Sequence, residues 1–258
     1  MLTFIGLGLF DEGDVSVKGL KLIKNADVVY AEFYTSRLVG STLKRLQEFY
    51  QREIHLLSRE EIEQAPEKSL LRDARDRDVV FLTAGDAMIS TTHVDLRIRA
   101  HDQGIQTRLI HGASIVTAVC GLTGLQNYRF GKSATISFPY KAISAAPYNT
   151  VITNLRSNLH TLLFLDIQKE LMSINQGIEL LIHSEHEKGR HQLAASLAVG
   201  IARAGSSSPV VKADTLGRLK DYDFGPPLHV LVVPASLHFM EEEALERFAG
   251  ARYVRHRD

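Results

Sequence analysis

At 258 residues, 45% of them hydrophobic, the chain holds enough apolar material for one large α/β domain or two medium ones. Thirty basic residues cancel thirty acidic ones at a sequence pI near 7.2, which excludes a global field drawing the protein to nucleic acid or to an anionic membrane. No apolar run reaches the roughly 18 residues of a membrane span, no basic leader precedes an apolar core, and the sole cysteine, Cys120, has no partner for an internal disulfide. These features place the protein in the cytoplasm, with Cys120 packed in its apolar run.

The first residues, Leu2-Thr-Phe-Ile-Gly-Leu-Gly8, read as a buried strand running into a glycine pair. An acidic loop follows (Asp11, Glu12, Asp14), then helical spacing at Val17, Leu20 and Ile23 with Ser16 as cap, and a second strand from Asp27 to Tyr30. This is a β-α-β unit. Gly6 and Gly8 invite a dinucleotide fingerprint, but position 11 is Asp, and three acidic residues would repel a pyrophosphate; a neutral or cationic ligand suits the loop better. Next come a helix face at Leu43, Leu46, Phe49 and Tyr50, a short strand from Glu53 to Leu57, and a charged, solvated helix from Glu60 to Arg77 broken at Pro66.

The stretch Asp78-Val-Val-Phe-Leu-Thr-Ala-Gly-Asp-Ala-Met-Ile-Ser-Thr-Thr-His93 organises the chain. A buried strand, Val79 to Leu82, stops at Gly85-Asp86, and a helix resumes near Val94 behind Ser90 or Thr91 as its cap. Ligands of open α/β sheets sit at such strand ends. Gly85 allows close backbone approach and Asp86 is an acceptor, while His93 is open to three readings, ligand, base or helix-surface residue, the last being the usual one for a lone histidine. A third strand, Thr107 to His111, again ends in small polar residues, Gly112-Ala-Ser114, before an apolar helix from Ile115 to Cys120.

The character changes near Asn127 to Gly131, which suggests an N-terminal domain over 1–128 and a C-terminal one over 129–258. The second domain is predicted to carry a strand at Thr135 to Phe138, a helix after Pro147, and an apolar strand, His160 to Leu165, closed by Asp166. A helix over 170–183, a hairpin from Leu197 to Ala213, a short helix at Leu216 and Leu219, a proline-bounded strand from Pro226 to Pro234 and a helical tail from His238 complete it. His183, His186 and His191 only superficially resemble metal ligands, since the residues between them are those of a solvated loop, and no metal site is expected. There is no G-x-x-x-x-G-K-[ST] phosphate loop and no G-x-S-x-G nucleophile elbow, and the serines at 206–208 read as a turn.

Phe4-Ile-Gly-Leu-Gly-Leu9 with Asp14, and Gly85-Asp86 behind a strand, resemble the tetrapyrrole methylase superfamily of S-adenosylmethionine-dependent methyltransferases. Longer blocks resemble its branch that modifies translation elongation factor 2: Tyr30-Ala-Glu-Phe-Tyr-Thr-Ser36, Ser90-Thr-Thr-His-Val-Asp-Leu-Arg-Ile-Arg-Ala100, Cys120-Gly-Leu-Thr-Gly-Leu-Gln126, Leu159-His-Thr-Leu-Leu-Phe-Leu-Asp-Ile167, Ala202-Arg-Ala-Gly-Ser206 and Asp223-Phe-Gly-Pro-Pro-Leu-His229. The resemblance implies a tetrapyrrole methylase-like α/β fold of two α/β domains with the cofactor cleft between them, usually a homodimer. It implies trimethylation of the amine of a 3-amino-3-carboxypropyl group on a histidine of elongation factor 2, with S-adenosylhomocysteine as product; from the charge balance and the lack of an apolar span, no direct nucleic-acid or membrane partner is expected. Carried over by position, cofactor contacts fall at Leu9, Asp86, Ile89, Ser114, Ile115, Leu165, Ala204 and His229.

Where the superfamily commonly has Gly-Asp-Pro, this chain has Ala87, a change expected to loosen the loop and to bear on affinity. Asp86 and Asp166 are candidates for orienting charge, and no catalytic base is assigned. Two rivals are a methyltransferase acting on a corrinoid precursor and a non-catalytic adapter for elongation factor 2.

Overall fold

The computed structural model describes residues 1–188 and 193–252. The chain divides into two compact units, Met1–Ile115 and Val116–Asp258. The change of character near Asn127 falls inside the second unit, behind the helix Ile115–Thr123.

In the first unit the element order is β1 (Leu2–Gly6), α1 (Val17–Asn25), β2 (Val28–Glu32), α2 (Leu43–Tyr50), β3 (His55–Leu56), α3 (Arg59–Glu63), α4 (Leu70–Ala74), β4 (Val79–Thr83), α5 (His93–Asp102) and β5 (Thr107–Ile110). The strands form one parallel sheet, ordered β3-β2-β4-β1-β5. Parallel strands need crossover connections, and these helices cover both faces, so the inner strands β1 and β4 read as unbroken apolar runs, whereas the edge strands β3 and β5 do not. Side chains alternate between two cores. Leu2, Phe4, Val79 and Phe81 pack with Leu70, Leu71 and Leu96 on one face. Ile5, Leu7, Val80 and Leu82 pack with Ile23, Leu46 and Tyr50 on the other. Ser16 caps α1 by accepting from the Gly19 N–H, as the spacing predicts.

The predicted solvated helix over 60–77 is in fact α3, a short 3-10 turn at Pro66–Lys68, and α4. Ile62, Leu70, Leu71 and Ala74 are buried, so its charges cover only one side. The strand from Asp27 continues past Tyr30 to the buried Glu32.

The second unit contains α6 (Ile115–Thr123), which opens at the junction, then β6 (Ala134–Ile136), α7 (Ala146–Arg156), β7 (Thr161–Leu165), α8 (Ile174–His186), β8 (Leu197–Ala202), β9 (Val210–Thr215), α9 (Leu216–Leu219), β10 (His229–Val233) and α10 (Phe239–Ala249). Its sheet is mixed, in the order β6-β7-β10-β8-β9, with β10 antiparallel to both neighbours. The predicted hairpin is β8-β9. The helix expected over 170–183 starts instead at Ile174, where Ser173 and Gln176 form a reciprocal cap. Cys120, expected inside the core, is only partly buried on α6. Among the described residues no helix is long and apolar enough to cross a membrane.

A buried polar knot ties α10 to its own unit. Glu241 has no exposure and accepts from His160 Nε2, the Gln126 N–H, Arg129 Nη1 and the His238 N–H. These donors hold its carboxyl below the usual carboxylate range despite burial.

In the first unit the loops after β1, β4 and β5 meet through glycine. A Cβ on Gly112 would lie 2.4 Å from the Gly85 carbonyl oxygen and 2.6 Å from the Gly6 carbonyl carbon. Gly112→Ala is therefore expected to cost about 1–3 kcal/mol in urea unfolding. Gly121→Ala in α6, where a Cβ meets nothing within 4 Å, is expected to gain about 0.5–1 kcal/mol.

Candidate cofactor site

The carboxyl ends of a parallel sheet leave backbone groups and loops free for a ligand. Here β4, β1 and β5 lie side by side, and Gly6, Gly85 and Gly112 pack backbone on backbone beyond them. Gly8 and Gly85 exchange hydrogen bonds of 3.2 and 2.6 Å, at φ of +89° and +76° that glycine adopts without strain. A Cβ on Gly85 would meet nothing within 4 Å, so a ligand can approach this backbone closely.

The acidic loop after β1 turns inward on itself. Asp14 Oδ2 accepts from the N–H groups of Leu9 and Phe10, at 3.0 and 2.6 Å, Asp11 Oδ1 accepts from the Gly13 N–H, and Glu12 pairs with Arg45. Asp14 thus fixes the half-buried Leu9 beside the glycine pair.

Asp86 joins two loops. Its carboxylate, 7% exposed, accepts from the Met88 N–H (2.9 Å) on Oδ1 and from His111 Nδ1 (2.8 Å) and the Gly112 N–H (3.3 Å) on Oδ2. The loop after β4 is thereby tied to the loop after β5, which continues into the buried Ser114 and to Ile115 at the start of α6. Ile89, on the same loop as Asp86, is 44% exposed and available to a ligand. His111 escaped sequence reasoning because its only signal is its place directly after a strand.

Two sequence expectations fail in this loop. Neither Ser90 nor Thr91 caps α5: Ser90 has φ +58°, and Thr91 Oγ1 donates to the Ala87 carbonyl at 2.7 Å. Thr92 occupies the cap position without a side-chain cap bond. Nor is His93 on the surface, because it lines up with Leu96 and Ala100 on the buried face of α5. His93 packs edge-on to Phe81 with ring centroids 4.9 Å apart, and its Nδ1 donates to the Ala87 carbonyl at 2.9 Å. Burial pushes its pKa down to about 4, so the ring is neutral.

Beyond His93 lies Glu32, also without exposure, at the end of β2. It accepts from the N–H groups of Tyr34 and Thr35 and from the Thr35 hydroxyl, yet burial pushes its pKa up. The apolar pattern predicts a strand only to Tyr30, two residues short of Glu32, and gives Glu32 no signal as a site residue.

Three further candidates belong to the second unit. The register sets His229 opposite Ala202 of β8 and, continuing the β10-β7 pairing, opposite Leu165, so all lie at one end of the sheet. Arg203, at φ +52°, bonds through its N–H to the Leu228 carbonyl and leads into Ala204. His229 Nδ1 accepts from the Ile174 N–H, which leaves the proton on Nε2, and that buried nitrogen has no hydrogen-bond partner. Burial drives the His229 pKa down to about 4, against the nearby Pro226 and Gly225 carbonyls, which favour the charged form.

Asp166, a candidate for orienting charge, instead caps its strand end by accepting from the Phe138 and Gln168 N–H groups. Among the described residues no group of three His, Cys, Asp or Glu side chains is arranged to hold a metal; His191 lies outside them. Ser206 accepts from the Ser208 N–H within the expected turn.

The architecture and the sequence agree with one family. The tetrapyrrole (corrin/porphyrin) methylase profile matches residues 1–219. Diphthine synthase of Methanocella arvoryzae is 61% identical, over 98% of this chain and 99% of its own, and that of Methanosarcina barkeri is 57% identical, over 97% and 96%. A diphthine synthase crystal structure superimposes with a TM-score of 0.92 at 49% identity, covering 97% of this chain and 96% of its own. The chain belongs to the tetrapyrrole methylases and, within them, to the diphthine synthase family of methyltransferases.

Two stability measurements follow from the buried groups. The raised pKa of Glu32 favours its neutral form, so its contribution is present at low pH and lost as pH rises through the folded value. Glu32→Gln is therefore expected to melt at or above the wild-type temperature at pH 8. The lowered pKa of His229 works the other way: its contribution is full above about 6.5 and lost as pH falls toward 4, on the order of 3 kcal/mol. Denaturant titrations from pH 7 to pH 4 should show this fall, and His229→Gln should flatten it.

Proposed function

We propose that the protein trimethylates the amino group of a 3-amino-3-carboxypropyl side chain carried by a histidine of translation elongation factor 2, using S-adenosylmethionine. The observation that carries this reading is the donor set at the glycine-lined strand ends. Backbone groups around Gly8 and Gly85, the Asp86 carboxylate and the Ser114 hydroxyl suit an adenosine and a cationic sulfonium better than a polyphosphate. The first unit's residues fit such a cofactor, because Gly85 borders open space beside Gly8.

Leu9, Asp86, Ile89, Ser114, Ile115, Leu165, Ala204 and His229 are the proposed contacts. The cofactor supplies an electrophilic methyl group on its sulfonium. The chain's own task is placement and exclusion of water. An α-amino nucleophile of pKa about 7.7–8.0 is roughly one-tenth unprotonated at pH 7, a penalty of about 1.4 kcal/mol. Holding the reacting groups at attack distance contributes about 7–11 kcal/mol, so orientation outweighs any base and none is assigned. The cytoplasmic location and the homodimer implied by the family resemblance belong to the same proposal, and sedimentation equilibrium reads the latter directly.

The test is incubation with S-adenosylmethionine and elongation factor 2 bearing the aminocarboxypropyl histidine, read by intact mass. A gain of three methyl groups is expected. Four would indicate an additional ester, and none, with cofactor bound, would direct the search to a corrinoid acceptor or an adapter role. Asp86→Ala is expected to weaken S-adenosylhomocysteine binding about tenfold or more by calorimetry, and unchanged binding would remove Asp86 from the site.

A further inference from the structure

The loop from Gly85 to Thr92 is built around one carbonyl. Ala87, 3% exposed, presents its oxygen to two side-chain donors from further along the chain, Thr91 Oγ1 at 2.7 Å and His93 Nδ1 at 2.9 Å. The loop also closes on Asp86, whose Oδ1 accepts from the Met88 N–H and whose carbonyl accepts from the Ile89 N–H at 3.2 Å. Ser90 is held at φ +58°, a conformation a non-glycine residue adopts only when its surroundings impose it. The commoner proline would fix this position through its ring; Ala87 is fixed through its oxygen.

His93 donates to Ala87 only as the Nδ1–H tautomer, so an unprotonated Nε2 presents a lone pair. That nitrogen faces Glu32 Oε1 at 3.6 Å, has no hydrogen-bond partner, and neither residue is exposed. Two facing acceptors in a dry interior repel unless a proton lies between them. Burial favours that proton on Glu32 over His93. Glu63 of α3 is a charge that acts on the ring and favours its protonated form, Phe81 of β4 packs edge-on with it, and Tyr34, with Arg59 above it, lies on the Glu32 side.

We propose that His93 is a positioning residue for methyl transfer: through the Ala87 carbonyl it fixes the loop that presents Asp86 and Ile89, and Glu32 fixes its tautomer. This rests on the proposed assignment of Asp86 and Ile89 as cofactor contacts.

The experiment compares three variants. His93→Leu removes the donor at similar bulk, His93→Asn keeps an N–H where Nδ1–H stands, and Thr91→Val deletes the second donor at a half-buried position. Amide hydrogen exchange in the free protein reads the loop, and calorimetry with S-adenosylhomocysteine reads binding. The Met88 and Ile89 amides are expected to exchange about tenfold faster in His93→Leu and Thr91→Val, with binding about five- to tenfold weaker. His93→Asn is expected to stay within about threefold of wild type in both. Should His93→Leu fail to fold, Thr91→Val and His93→Asn decide the matter. Unchanged exchange in the folded variants would overturn the inference and leave the proposed function standing. Faster exchange with undiminished binding would overturn both the placement of the cofactor on this loop and the positioning role.

Discussion

Asp86 is the joint on which the first unit's site depends. Three neighbouring strand ends have loops that would diverge without a tie, and one buried carboxylate accepts three hydrogen bonds that hold two of those loops together. The carboxylate is buried and its hydrogen bonds are charge-assisted, although His111 itself is largely exposed. Such a tie is feasible because Gly6 and Gly112, where a Cβ would lie 2.5 and 2.4 Å from the Gly85 carbonyl oxygen, let the backbones approach, while Gly85 itself supplies the turn at φ +76°. The carboxylate and the glycines are one device: the first supplies the attraction, the others the space.

Behind this joint the chain reuses the same economy. The acidic residues after β1 are turned toward backbone N–H groups or toward Arg45, so they build the loop and leave little uncompensated charge facing a ligand. Glu32 and His93 form a second layer that never reaches solvent. Burial opposes the ionisation of both, lowering the His93 pKa to about 4 and raising that of Glu32.

The second unit solves the same problem with a different sheet. Because β10 runs antiparallel between β7 and β8, its first residue, His229, lies beside the last residues of its neighbours. Residues distant in sequence reach one sheet edge, where a histidine N–H is left without a partner. The Glu241 knot at the other end of that strand region satisfies every group it buries, which marks it as structural.

Much of this was legible in the amino-acid sequence. Apolar runs ending in glycine and small polar residues located β1 and β4 and the loops behind them, because burial on both faces leaves a continuous hydrophobic signal. Quoted blocks spread along the chain located the family. What the sequence could not supply was which polar groups meet. His111 reaches Asp86 across an intervening strand, Glu32 reaches His93 from a different strand end, and a histidine on a charged helix proved to have no exposure at all. Local pattern carries the period of an element and its ends; the partner of a buried polar side chain is chosen by strand order and helix rotation. Those are properties of the packed sheet, and they alone decided that the loop after β4 is held by an aspartate in front and a neutral histidine behind.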